Sequence, residues 1–264
     1  MNELVEAGVV LVALVGSTAL GLVVQSFLAE HHRSRETTEL VRLVVAMLVT
    51  FTALVLGLLI TSVKASFDRI DNQLRVFAAE LIQFDQSLRQ YGSDTDAIRG
   101  QLRSFAAAAI ASTWTEEPKP SGDYPKITLP GLSGFESPAL GSMLAGVERE
   151  LRQLEPADLR HRRIAAECIR QFERLTQQHW RIIEDSGGAV PARFIILLVF
   201  WLAIVFASFG LNAPRNVLAY TTMALAAVSI ASAIYLILDL ATPYGGMIAT
   251  SSQAMRDALA HLSQ

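Results

Sequence analysis

The sequence predicts an all-α polytopic membrane protein with four transmembrane helices and a helical soluble domain inserted between spans 2 and 3. Two observations carry this. First, 52% of the 264 residues are hydrophobic and only 18% are charged, against about 25% charged in an ordinary soluble domain. Second, the charges avoid four runs altogether: no Asp, Glu, Lys or Arg occurs in Ala7–Ala29, Leu43–Val63, Phe194–Pro214 or Asn216–Leu238. A helix of about 20 residues crosses a hydrocarbon core of ~30 Å, so each run can span a bilayer. The strands of a β-barrel would alternate in polarity, and these runs do not.

The first span covers roughly Leu4–Leu28. The first six residues hold Glu3 and Glu6 where a signal peptide would carry Lys or Arg, and the apolar run is too long for a cleaved leader. It is expected to be retained. A polar turn, Glu30 to Glu36, leads into span 2 at Thr38 or Glu39. No breaker follows Val63. Phe67, Ile70, Leu74, Phe77, Leu81, Phe84, Leu88 and Tyr91 recur at steps of three and four, a heptad seam. One continuous helix from about Glu39 to Tyr91 is therefore expected, stopped by Gly92. Its seam should pack on other helices of the same domain, with a coiled coil between subunits as the alternative.

Ser93–Asp96 offer an N-cap for a helix that runs to about Thr113. Five prolines and three glycines between Trp114 and Pro138 exclude regular structure there. A helix over 139–154 follows, then one from Pro156, placed in its first turn, to about Asp185. Its apolar stripe is Ile164, Cys168, Phe172, Leu175, His179 and Ile182. Gly187–Gly188 end that helix, Pro191 opens span 3, and Ser251–Leu262 read as a short amphipathic helix. The expected organisation is 1–63, spans 1 and 2; 64–192, the helical soluble domain with its Pro/Gly-rich loop 114–138; 193–241, spans 3 and 4; and 242–264, a C-terminal turn and short helix.

Four spans put both termini on the same side as the inserted domain. The positive-inside rule barely separates the sides: Lys64, Arg69, Arg75, Arg181 and Arg193 flank one, Arg33, Arg35, Arg42 and Arg215 the other. The lone Cys168 suits a reducing compartment. The domain and termini are placed in the cytoplasm of a bacterial cell, with the spans in the inner membrane.

Few residues suggest chemistry. His31 and His32 stand side by side, where helical metal ligands would be three or four apart. Cys168 and His179 share a stripe but lie eleven residues apart. No nucleophile elbow, phosphate loop or carboxylate pair is present, so neither an enzymatic activity nor a cofactor is expected. A net charge of −3 gives no footprint for nucleic acid. No span carries a central charge, which disfavours a proton-coupled pump. In span 2, Thr50, Gly57, Thr61 and Lys64 fall on one line, a threonine face ending in a lysine that suits an anion-attracting pore. The competing reading is that the threonines satisfy their own backbone and the glycine allows close helix packing. After span 4, Asp239 is expected to cap or pair locally. It would hold a turn made by Pro243, Gly245 and Gly246 so that the terminal helix docks on the membrane-proximal end of the inserted domain.

Two stretches, Leu54–Asp68 with the long helix behind it and Leu238–Ile248, together resemble the bacterial bestrophin-like domain membrane proteins. These show an LxLGLL-type second span and an Asp…Pro-Phe-x-Gly motif after the last span. The corresponding residues here are Asp239, Pro243, Tyr244 and Gly246, with tyrosine replacing phenylalanine. The sharp motifs cover about thirty residues of a resemblance that extends over most of the chain. Bestrophins proper are pentameric anion channels, so the resemblance implies a homo-oligomeric channel or pore partnered by membrane lipid, copies of itself and an inorganic ion. The acidic calcium clasp of animal bestrophins is absent, and calcium gating is not expected. The alternative of a different class is a non-conducting scaffold or sensor that recruits a cytosolic partner.

Overall fold

A computed structural model describes residues 2–27, 35–127, 134–186, 192–214 and 216–264. Every regular element in it is helical: α1 (Asn2–Phe27), α2 (Arg35–Tyr91), α3 (Asp96–Thr113), α4 (Pro138–Arg152), α5 (Leu159–Ser186), α6 (Ala192–Asn212), α7 (Val217–Leu240) and α8 (Gln253–Leu262), with 3₁₀ turns at Ser93–Thr95 and Gly134–Glu136. Four of these are long and apolar enough to cross a membrane: α1, α2, α6 and α7. The protein is thus an all-α polytopic membrane protein whose central helices lie between two pairs of spans. At 57 residues α2 is the longest helix, about 85 Å from end to end. The chain divides into two compact units, with the boundary within α2 at Ser66–Phe67.

In the membrane unit α1 packs on α6 and α7. Val10, Leu14, Leu198, Leu202, Phe206, Ala227 and Ile234 form its core. Two glycines set the closeness of α1 and α6. A Cβ on Gly21 would stand 2.1 Å from the Ala207 carbonyl oxygen, and one on Gly210 would stand 2.1 Å from that of Thr18. Each helix is therefore in backbone contact with the other, as small residues permit in membranes. Gln25 donates from Nε2 to the Ala213 oxygen at 3.1 Å, closing one end of the pair.

In the helical unit the expected seam of α2 is the core. Ile70, Leu74, Phe77, Leu81, Phe84, Leu88 and Tyr91 are all buried, against residues of α3, α4, α5 and α8. The seam is thereby used inside the chain, as the first of the two sequence readings has it. Ala106–Ala109 of α3 are buried in a row, and their short side chains let α3 run through the middle of the unit. Asp85, 2% exposed, accepts from Arg89 Nε at 2.6 Å and Arg99 Nε at 2.8 Å. A buried carboxylate is tolerable only when so paired, and this triad ties α2 to α3.

Two local expectations are corrected. Ser93–Thr95 form a 3₁₀ turn with no side-chain cap; the buried Thr95 hydroxyl instead donates to the Leu88 carbonyl at 2.7 Å, a second donor for an acceptor that the Gly92 N–H reaches at 3.3 Å at the end of α2. Pro156 lies outside α5, which begins at Leu159, because Asp158 Oδ1 accepts from the His161 N–H at 2.7 Å and caps the helix two residues later. The chain enters α8 at the C-terminal end of α3, where the Thr250 carbonyl accepts from Trp114 Nε1 at 2.7 Å and Arg256 pairs with Glu117 at 2.9 Å. This last helix lies on α3 through Met255, Ala258 and Leu262, and its last turn reaches Arg89, near the C-terminal end of α2. There Arg89 Nη2 donates to the His261 carbonyl at 2.6 Å, satisfying the negative end of the short helix.

Candidate functional site

The apolar half of α2 is the least buried of the four spans. Only 11% of its most apolar stretch is buried, against 39% in α7. The buried residues make one narrow stripe. Thr52 and Val63 are buried, and Val55, Leu56 and Leu59 pack on the core of the membrane unit. At about 100° per residue, Thr50, Gly57, Thr61 and Lys64 lie roughly 150° away from that stripe. All four are exposed. They share the face that this chain leaves uncovered.

The Thr50 hydroxyl donates to the Ala46 carbonyl at 2.9 Å, and that of Thr61 donates to Gly57 at 2.9 Å. These bonds satisfy the hydroxyl protons, as the backbone-satisfaction reading requires. The oxygen lone pairs remain on the exposed face. A Cβ on Gly57 would meet nothing within 4 Å, so no close helix contact within the chain explains that glycine. Lys64 supplies the positive charge at the end of the line.

The segment after α7 is built around Asp239, 1% exposed. Its Oδ1 accepts from the Met247 N–H and its Oδ2 from the Ile248 N–H, both at 2.9 Å. The Tyr235 hydroxyl lies 3.4 Å from Oδ1. Two backbone donors on one carboxylate form a clip that closes the chain from 239 to 248. Gly246 is demanded twice, by φ +86° and because a Cβ would stand 2.2 Å from Asp239 Oδ1. Gly245 has open space around it and no positive φ, so of the two glycines Gly246 makes the turn. In the helical unit the Pro243 carbonyl accepts from both the N–H and the hydroxyl of Thr250, at 2.8 and 2.9 Å. The Tyr244 ring stands 6.1 Å from those of Trp114 and Phe135, and burial pushes its hydroxyl above the ordinary tyrosine range. An aromatic ring at this position is a core residue, a role phenylalanine fills equally well.

Cys168 and His179 make no catalytic pair. Burial pushes the Cys168 thiol up to about 11 and the His179 imidazole down to about 4, so both are neutral near pH 7. Sequence reasoning placed His179 on an apolar stripe and missed its surroundings: Phe77, Phe105, Phe135 and Trp180 all lie 6.0–6.2 Å from its ring. Apart from the adjacent Trp180, these rings come from α2, α3 and the turn at Gly134–Glu136, so no spacing in the chain announces them. His31 and His32 lie outside the described residues. Among the described residues no group of three or more His, Cys, Asp or Glu could hold a metal ion.

Four spans in two pairs, separated along the chain by a helical unit, define a polytopic membrane protein. Residues 12–255 match the bestrophin-like domain, and the chain belongs to that family. The crystal structure of a bacterial bestrophin homolog from Klebsiella pneumoniae, carrying a point mutation, has the same fold. The TM-score is 0.60 at 14% identity, covering 98% of this chain and 100% of that one. No curated protein matches in sequence.

Proposed function

We propose that this chain assembles with copies of itself into an ion-conducting pore whose wall is the uncovered face of α2. The observation that carries the proposal is the placement of Thr50, Gly57, Thr61 and Lys64 on the side of α2 opposite its packing stripe. A polar line facing lipid would gain nothing, whereas around a shared axis it supplies oxygens, a wide point at Gly57 and a ring of positive charge. That ring favours anions, the sign expected from the bestrophin resemblance. The helical unit and both termini are assigned to the cytoplasm.

The test is current through planar bilayers containing the purified protein. The wild type should conduct with a reversal potential displaced toward the anion, and Lys64→Glu should displace it toward the cation. A silent wild-type protein in a stable assembly would leave the non-conducting scaffold as the better reading. A cysteine at Ser121 should resist an impermeant maleimide in intact cells, and its labelling would invert the orientation.

A further inference from the structure

In the helical unit α2 and α5 run antiparallel, and four pairs fix their register. Gln73 Nε2 donates to Asp185 Oδ2 at 2.6 Å. The rings of Phe77 and His179 stand 6.2 Å apart, those of Phe84 and Phe172 5.8 Å, and those of Tyr91 and His161 5.1 Å. Glu80 lies one turn from both Phe77 and Phe84, and Thr176 one turn from both Phe172 and His179. The register therefore sets a carboxyl level with a hydroxyl, between two aromatic rungs. Both side chains are half-buried. Glu80 Oε2 and Thr176 Oγ1 are each closed off from solvent with no hydrogen-bond partner. By contrast, buried Asp85 accepts from two guanidiniums and buried Asp239 from two backbone N–H groups.

The charges that act on Glu80 are Arg174 and Arg181 of α5. Neither bonds Oε2: Arg174 approaches Glu167 at 3.7 Å, and Arg181 is exposed. The other elements on this stretch of α2 bring rings rather than charge, Phe105 from α3 and Phe135 from the 134–136 turn. On α2 itself Asp71 is engaged by Arg75, and Asp85 by Arg89. A carboxylate oxygen enclosed without a donor is costly when ionised. The protonated form is neutral and has in Thr176 an acceptor at its own level. Burial accordingly raises the carboxyl above its ordinary range, and the two arginines only moderate this. We propose that Glu80 is a proton-operated latch between α2 and α5. Protonated, it closes the seam by donating to Thr176; ionised, it draws the seam open toward water and the two arginines. The closed seam binds the proton more tightly than the opened one. Closure is therefore favoured in mild acid and lost as the pH rises through the raised carboxyl value. His179, one turn away on α5, works in the opposite direction. The latch lies wholly in the helical unit and operates whether or not α2 lines a pore.

The test is amide hydrogen exchange of the full chain in detergent, followed by mass spectrometry at a series of pH values from 7 to 4.5. Glu80→Gln keeps the shape and copies the protonated state at every pH. Comparing it with wild type at the same pH cancels the intrinsic pH dependence of exchange and the titration of His179, present in both. At pH 7 the peptides over Ala78–Phe84 and Phe172–His179 should exchange several-fold faster in wild type than in Glu80→Gln. That ratio should fall toward one as the pH is lowered, by at most about tenfold for each pH unit crossed, the limit for a single proton. A peptide over Leu144–Leu151 of α4 should exchange alike in both proteins. Arg181→Gln, at an exposed side chain, removes a charge that favours the carboxylate, so its seam should tighten at higher pH than in wild type. A ratio that is the same at pH 7 and 4.5 would reduce Glu80 to a packing residue and overturn the proposal. Tightening that stays in place or moves to lower pH in Arg181→Gln would overturn it as well.

Discussion

Acid should loosen the helical unit through His179. Its ring is 2% exposed, is packed among four aromatic rings, and has no hydrogen-bond partner for Nδ1. Burial alone lowers its pKa from 6.5 to about 4. The folded state therefore prefers the neutral imidazole, and the unfolded state binds more protons between those two values. The resulting contribution is complete above pH 6.5 and is lost as pH falls toward 4. Between pH 7 and 4.5 the loss integrates to about 2.5 kcal/mol, or roughly 5–10 °C in Tm for a chain of this size. His179→Leu keeps the site apolar and removes the proton. The assay compares thermal unfolding of both proteins in detergent at pH 7 and 4.5. Carboxylates titrate in both, so the difference between the two shifts belongs to His179. The wild type should lose the larger amount. Equal acid shifts would show that the imidazole is not buried as described.

Other variants probe the remaining elements. Leu74→Pro, at a fully packed seam position, should cost about 3 kcal/mol or more, while Leu74→Met should cost under about 1.5; equal thermal stability would mean α2 is not a packed helix there. Asp239→Asn preserves shape but turns an amide N–H₂ toward one of two backbone donors, costing about 1–3 kcal/mol. Limited proteolysis should then cut after residue 240 faster than in wild type. Gly21→Ala and Gly210→Ala each drive a methyl into a backbone carbonyl and should lower Tm by the equivalent of about 1–3 kcal/mol or more. Gly16→Ala, which meets nothing, should be neutral.

Much of this architecture is legible before any coordinates. A span announces itself by excluding charge over the whole thickness of the bilayer. The absence of a breaker after Val63, with the heptad seam beyond it, extends α2 to Tyr91 where the structure ends it. The seam works because the helical unit faces water, so burial and polarity separate along it. The same logic fails inside the membrane. Val55 packs on the core while Leu54 and Leu58 stand exposed, yet lipid makes all three equally apolar, and periodicity cannot say which face α2 buries. Gly21 and Gly210 were equally silent, since each is a lone glycine whose partner is another helix's backbone. Asp239 is conspicuous as the first charge after a long apolar run, but its acceptor role depends on the amides of Met247 and Ile248, which every sequence has. Thr95 and Pro156 were misread because tertiary or neighbouring hydrogen bonds outcompeted the local cap.

The central claim is that the uncovered face of α2 looks into an ion path. The single native thiol, Cys168, is buried and held protonated by that burial, so wild type is already a background insensitive to thiol reagents. The decisive measurement is current through Thr61→Cys in a planar bilayer before and after a charged methanethiosulfonate, beside Val44→Cys on another exposed face of the same helix. The account predicts that modification abruptly reduces or blocks the current in Thr61→Cys and leaves Val44→Cys unchanged. Full current through modified Thr61→Cys, or block confined to Val44→Cys, would contradict it.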